Sequence, residues 1–197
     1  ATMVKRIEPP ASWTGADLVG ALKSGMAKSL PYSARSFSYG WLANWGDITP
    51  SPSALALSAP SGVTGAAAFL DGTESWRNYE LAASASIEVG TISLIARHTG
   101  TDSSYPVCAF SDDTIYLERH VGDTQVTIAR KTYVPATGAR EIRMDVSGAY
   151  VSCSSGGVSV TGPVPNISTR GGAGVSLWDP NPGTAKASIT NFSAVPL

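Results

Sequence analysis

AAFLDGTESWRNYELAASASIEVGTISLIARHTG, residues Ala67 to Gly100, is the stretch on which the fold turns. After Tyr79 its apolar residues recur with a period of two. Ile87 and Val89 lead into Gly90, after which Ile92, Leu94, Ala96 and His98 fall on one side and Ser93, Ile95 and Arg97 on the other. Side chains alternate in this way along an extended strand, and no 3.6-residue period competes with it here.

The same pattern extends outward. Thr114–His120, Gln125–Arg130, Glu141–Val146, Tyr150–Cys153, Gly157–Val160, Gly174–Trp178 and Ala185–Phe192 each read as short strands. Gly, Asp, Asn and Pro separate most of them, as expected of a chain with 20 Gly and 13 Pro. Eight or more short, partly amphipathic strands fit two antiparallel sheets packed face to face. A parallel sheet would need crossover helices, which this half of the chain does not offer. Thr49–Pro60 reads as an extended connection in which Leu55 and Leu57 alternate, and no short-period repeat suggests a solenoid or propeller.

The first 35 residues differ in character. Lys5, Arg6, Lys23, Lys28 and Arg35 stand against Glu8 and Asp17, whereas the remainder is mildly acidic. Thr14 can cap a short helix with Leu18, Leu22, Met26 and Leu30 at four-residue spacing, and Pro31 would stop it. We therefore expect an arm over 1–35 and a sandwich over 36–197. The apolar stripe needs a cover, supplied either by the sandwich itself or by a neighbouring subunit.

A net charge of −1 provides no field for a polyanion, which argues against nucleic acid as a partner. No run of 18 apolar residues predicts a membrane span, and Ala1–Pro10 lacks the apolar stretch of a secretion signal. Cys108 and Cys153 form neither a CxxC pair nor a dense framework. Buried free thiols are the first expectation and a single bridge the alternative, so the redox compartment stays open.

The run from Ala67 to Gly100 resembles the concanavalin A-like, laminin-G-type jelly roll found in bacterial carbohydrate-binding modules. In that family a Trp and a Tyr precede an alternating strand, followed after a glycine by a strand ending in Arg. Trp76, Tyr79, Gly90 and Arg97 stand at those positions. The run GGAGVSLWDPNPGTAKASITNFSAVPL, Gly171 to Leu197, resembles the closing strands, with Phe192 as the well-packed terminal aromatic. The resemblance implies an all-β sandwich and a family that includes carbohydrate binders, hydrolases, lyases and noncatalytic parts of extracellular or viral proteins; fold alone does not choose among them.

Glycoside hydrolysis generally needs two opposed carboxylates. The nearest arrangement is Glu141, Arg143 and Asp145, where Arg143 interrupts the acidic series, while adjacent Asp112 and Asp113 would point apart on a strand. A lyase could draw on Arg97, His98 and Tyr105, but Arg97 and His98 face opposite ways on a continuing strand. Their plainer roles are a salt bridge or surface contact for Arg97 and a capped strand end for His98. His98 and His120 are the only histidines, and without an HExxH pattern they give zinc little support. Calcium stays open as a cofactor, since Asp71, Asp102, Asp112, Asp113, Asp179 and loop carbonyls offer oxygen ligands without diagnostic spacing.

The chain is thus expected to be noncatalytic: a carbohydrate-recognition or adhesion module, extracellular or virion-associated, within a larger assembly. The alternative is a purely structural assembly protein such as a phage capsid or tail component, or a homo-oligomer. Aromatic rings cover the apolar face of a sugar while polar groups read its hydroxyls. The expected ligand residues are Trp178, Asp179, Tyr105 and Arg97, with Trp76 and Tyr79 in a chiefly packing role at the sandwich edge. Trp178 alternates with Val175 and Leu177 such that its ring can point off the core.

Overall fold

The computed structural model describes residues 41–100, 103–134 and 138–197, together with the backbone of Tyr32–Ser33. The expected arm helix lies outside the described residues. Among the described residues the strands follow in the order β1 Tyr32–Ser33, β2 Trp41–Trp45, β3 Asp47–Pro50, β4 Leu55–Ser58, β5 Gly65–Leu70, β6 Tyr79–Val89, β7 Thr91–His98, β8 Ser104–Phe110, β9 Thr114–Val121, β10 Thr124–Thr132, β11 Arg140–Ser147, β12 Tyr150–Ser155, β13 Val158–Pro163, β14 Gly172–Trp178 and β15 Lys186–Pro196.

They form two antiparallel sheets. One runs β13-β12-β11-β6-β15-β4-β3, with β1 also on β15; the other runs β10-β9-β8-β7-β14-β5-β2. The inward residues of β6 (Tyr79, Leu81, Ala83, Ala85), β7 (Ile92, Leu94, Ala96) and β11 (Ile142, Met144, Val146) are buried in one core between the sheets. This is an all-β, jelly-roll sandwich, and the two-residue period of Ala67–Gly100 is its cause.

Consecutive β6 and β7 lie in different sheets, joined at Gly90 with φ +106°. A Cβ there would stand 2.7 Å from the Trp178 carbonyl oxygen, so the crossing needs glycine on both conformational and steric grounds. Phe192 takes its expected place in the core, edge-on to Trp41 at 5.0 Å. It gets there through a register shift in β15 at Asn191, φ 51°, which turns the strand's inward set from Ala187 and Ile189 to Phe192 and Ala194.

Two expectations are corrected. Cys108 on β8 and Cys153 on β12 are joined by a disulfide, not held as free thiols. The strands belong to opposite sheets, and both residues point into the core, so the topology brings together two thiols that are 45 residues apart in sequence. The second concerns β7. His98 does not share a side with Ile92, Leu94 and Ala96, because Arg97 adopts φ 55° and shifts the register against β14 between Gly172 and Gly174. The bulge returns His98 to the side of Ser93 and Ile95 and directs Arg97 to the end of the sandwich.

Candidate functional site

The outer face of the β10-to-β2 sheet carries a groove of about 450 Å³, lined by residues from all seven strands. Strand register explains its shape. One cross-strand row runs Ala67, Ser176, Ser93 and Ala109, a floor of small side chains ended by Trp45 on β2 and Tyr116 on β9. The next row is bulkier, with Phe69, Gly174, Ile95, Val107, Glu118 and Thr127. On the other flank Trp178 stands between Gly65 and Thr91. Successive residues of each strand thus alternate between core and groove, and residue size sets floor and walls.

Several rings form a continuous wall. Phe69 lies where a Gly174 Cβ would be, 2.5 Å from its Cδ1, and stacks on His98 with centroids 4.2 Å apart. Tyr105 meets His98 edge-on at 5.0 Å and His120 at 5.6 Å. Burial holds the His98 imidazole below its ordinary value and the Tyr105 phenol above its own. Both shifts favour the neutral forms, so Phe69, His98 and Tyr105 present a wall that is apolar on its faces and hydrogen-bonding at its edges.

Glu118 is the sole carboxylate among the described residues lining the groove, and it is 3% exposed. One carboxylate oxygen accepts from Gln125 Nε2 at 2.5 Å, and the other lies 3.0 Å from His120 Nε2. Both partners flank it on neighbouring register positions, since Tyr105, His120 and Gln125 stand side by side across β8, β9 and β10.

The structure brings together two of the expected ligand residues, Trp178 and Tyr105, at opposite flanks of this groove. Trp178 is 51% exposed and points off the core as anticipated. Asp179, next in sequence, organises the turn that follows: one carboxylate oxygen accepts from the Asn181 backbone N–H and the Thr184 hydroxyl, each at 2.8 Å. These bonds hold its carboxyl below the usual carboxylate range.

Arg97, Trp76 and Tyr79 gather elsewhere, at one end of the sandwich. Arg97 is 2% exposed, and its guanidinium donates to the carbonyls of Arg77 at 2.8 Å, Gly148 at 2.6 Å and Ser168 at 3.3 Å, and to Asn78 Oδ1 at 3.2 Å. It therefore ties three loops together and has no place at the surface, where a salt bridge or contact was anticipated. Tyr79 packs edge-on against Trp76 at 5.4 Å, and burial raises its phenol far above the ordinary range.

Glu141, Arg143 and Asp145 lie on the outer face of the opposite sheet, with Arg143 bridging Glu80 and Glu141 at 3.3 Å each. Among the described residues no three His, Cys, Asp or Glu side chains converge as a metal site. No described helix is long and apolar enough to cross a membrane.

Sequence reasoning missed Phe69, Tyr116, Glu118, His120 and Gln125 as groove residues. The signal was present in TIYLERHV, where Tyr116, Glu118 and His120 alternate onto one face. Trp45 escaped because WLANW has no clear alternation, and a register shift between Ala43 and Trp45 is what turns its ring to the groove.

Solved structures share this architecture. Carbohydrate-binding module CBM66 from Bacillus subtilis superposes with a TM-score of 0.66 at 13% identity, covering 79% of this chain and 95% of that one. This chain has the concanavalin A-like jelly-roll fold. The same jelly roll appears in the VIP36 exoplasmic/lumenal domain, solved with Ca2+ and Man3GlcNAc, at a TM-score of 0.62 and 9% identity over 80% of this chain and 84% of that one. It appears again in the Bacillus licheniformis beta-glucanase, at 0.61 and 14% over 86% and 98%. Binders and glycosidases thus both use the concanavalin A-like frame. No family model and no curated protein matches the sequence.

Proposed function

We propose that this jelly roll is a noncatalytic carbohydrate-recognition module whose ligand lies across the strands in the groove of the β10-to-β2 sheet. The observation that carries the reading is the floor of Ala67, Ser176, Ser93 and Ala109, ended by Trp45 and Tyr116 and set between Trp178 on one flank and the Phe69, His98 and Tyr105 rings on the other. Sugar rings are flat, apolar on their faces and hydroxylated at their edges, and such a trough offers aromatic faces with Ser, Thr, Asn and Gln groups around them.

A noncatalytic role is supported by chemistry. Hydrolysis by the common mechanisms needs two carboxyl groups flanking the scissile bond, roughly 5–9.5 Å apart. The described groove lining offers Glu118 alone. A cross-sheet disulfide supports an oxidising, extracytoplasmic setting. The test is calorimetric titration of neutral oligosaccharides into the chain and its Trp178→Ala and Tyr105→Ala variants. Affinity should fall in both while the fold is kept, and equal affinity in all three would refute the site.

A second reading is favoured by the stripe Leu18, Leu22, Met26 and Leu30 with Lys5, Arg6, Lys23 and Lys28: the arm over 1–35 anchors the module in a homo-oligomer or larger extracellular or virion assembly. Deleting the arm should lower the assembly state in light scattering while the sandwich stays folded.

A further inference from the structure

We infer that Glu118 is the specificity-determining residue of the groove, admitting neutral glycans through hydroxyl hydrogen bonds and excluding uronates and sulfated sugars. The inference rests on the groove being the glycan site. Glu118 stands at the middle of the β9 segment, in cross-strand register with Val107 on one side and Thr127 on the other. The residue is 3% exposed and its side chain 5%, yet it lines the groove.

Gln125 and His120 engage one oxygen each, and an ionised carboxylate has about four lone-pair sites, so acceptor capacity remains for donors from the groove side. Sugar hydroxyls are such donors. An anionic sugar brings a second negative charge and no hydrogen to donate, at a position where water is largely displaced and Coulomb repulsion is poorly screened.

Among the described lining residues no Lys or Arg is built in to offset that repulsion, and the basic group against the carboxylate is the His120 ring, 3.0 Å from one oxygen. Arg130, in register with Tyr116 on edge strand β10, is exposed and does not line the groove. Sites that select anionic sugars normally hold an Arg fork for the carboxylate or sulfate. Here the buried charge has the opposite sign, so rejection arises from a repulsive element as much as from attraction of the right ligand.

Two substitutions separate the charge from the shape. Glu118→Gln keeps the size and one acceptor but removes the charge. Thr127→Lys adds an ammonium beside Glu118 from an exposed position on an edge strand, where it does not disturb the core. The experiment measures affinity for two probe sets of equal length, neutral manno-, gluco- and fructo-oligosaccharides against oligogalacturonates, at low and high salt, with thermal melts verifying folding.

The parent should favour the best neutral probe by at least tenfold over any oligogalacturonate. Either substitution should narrow that ratio about tenfold, chiefly by improving the anionic probes, and the parent's ratio should shrink at high salt. A parent that binds oligogalacturonate as well as neutral probes, with Trp178→Ala abolishing both, overturns the role of Glu118 while leaving the groove as the glycan site. Variants that weaken neutral binding without changing the ratio also overturn it. Failure of every probe to bind overturns the specificity and the groove reading together.

Discussion

The Tyr79 phenol oxygen lies 2.7 Å from the backbone nitrogen of Arg97, accepting its N–H, and 3.2 Å from the carbonyl oxygen of Gly171, to which it donates. One buried hydroxyl therefore satisfies two backbone groups at the place where β7 leaves regular register. The left-handed Arg97 that results sends its guanidinium into the loops at the sandwich end and turns His98 onto the groove wall. A residue that does not line the groove thereby helps set the geometry of the groove wall.

Tyr79→Phe should destabilise the chain by about 1–3 kcal/mol, because a buried N–H and a buried C=O lose their partner while packing is unchanged. Chemical denaturation measures the loss. The His98 ring resonances should shift in the same variant, although residue 79 lies outside the groove. An unaltered midpoint would show that the hydroxyl is dispensable to the bulge.

Reducing the Cys108–Cys153 bridge, or replacing both residues with Ser, should cost roughly 2–4 kcal/mol by releasing a loop closed across 45 residues. Both sulfurs are fully buried, so a mild thiol should reduce the native chain slowly and the unfolded chain quickly. Free-thiol titration in and out of denaturant checks this. Equal rates would contradict a bridge across the core.

Stability should fall on acidification through the His98 imidazole. Burial depresses its folded value below the ordinary one near 6.5, so below that pH the unfolded chain binds the proton that the folded chain resists. The contribution is complete above about pH 6.5 and is lost progressively as the pH drops. His98→Asn should flatten the slope of stability against pH between 7 and 5, measured by denaturant midpoints, even where its overall stability is lower.

Trp178→Ala should leave the thermal midpoint within a couple of degrees of the parent, since the ring is half in solvent and off the core. Glycan affinity should fall about 10- to 100-fold, equivalent to about 1.4–2.7 kcal/mol. Loss of folding would instead assign the ring to packing.

The sandwich was legible because Ile92, Leu94 and Ala96, and again Ile142, Met144 and Val146, alternate cleanly between core and exterior. β8 was not. In SYPVCAF both faces are covered, Cys108 and Phe110 by the main core and Val107 and Ala109 by the small cluster under the groove, and a strand buried on two sides loses its alternation. Trp178 was legible as a strand aromatic that can point off the core, whereas Tyr105 was chosen on residue type and is half-buried in the groove wall. Arg97 was not legible as a loop clamp, because a single left-handed residue leaves no mark on hydrophobic period. The Cys108–Cys153 bridge depends on which strands of opposite sheets face each other, and spacing in one sequence does not encode that.

The most direct test of the groove is chemical-shift mapping with a neutral oligosaccharide titrated into the isotopically labelled chain. The largest saturable shifts should fall on Trp178 Nε1–H, the Tyr105 and His120 rings and the Gln125 side-chain amide. Shifts confined to the opposite sheet around Arg143 and Ser154, or to residues 1–35, would contradict a ligand site on the β10-to-β2 face.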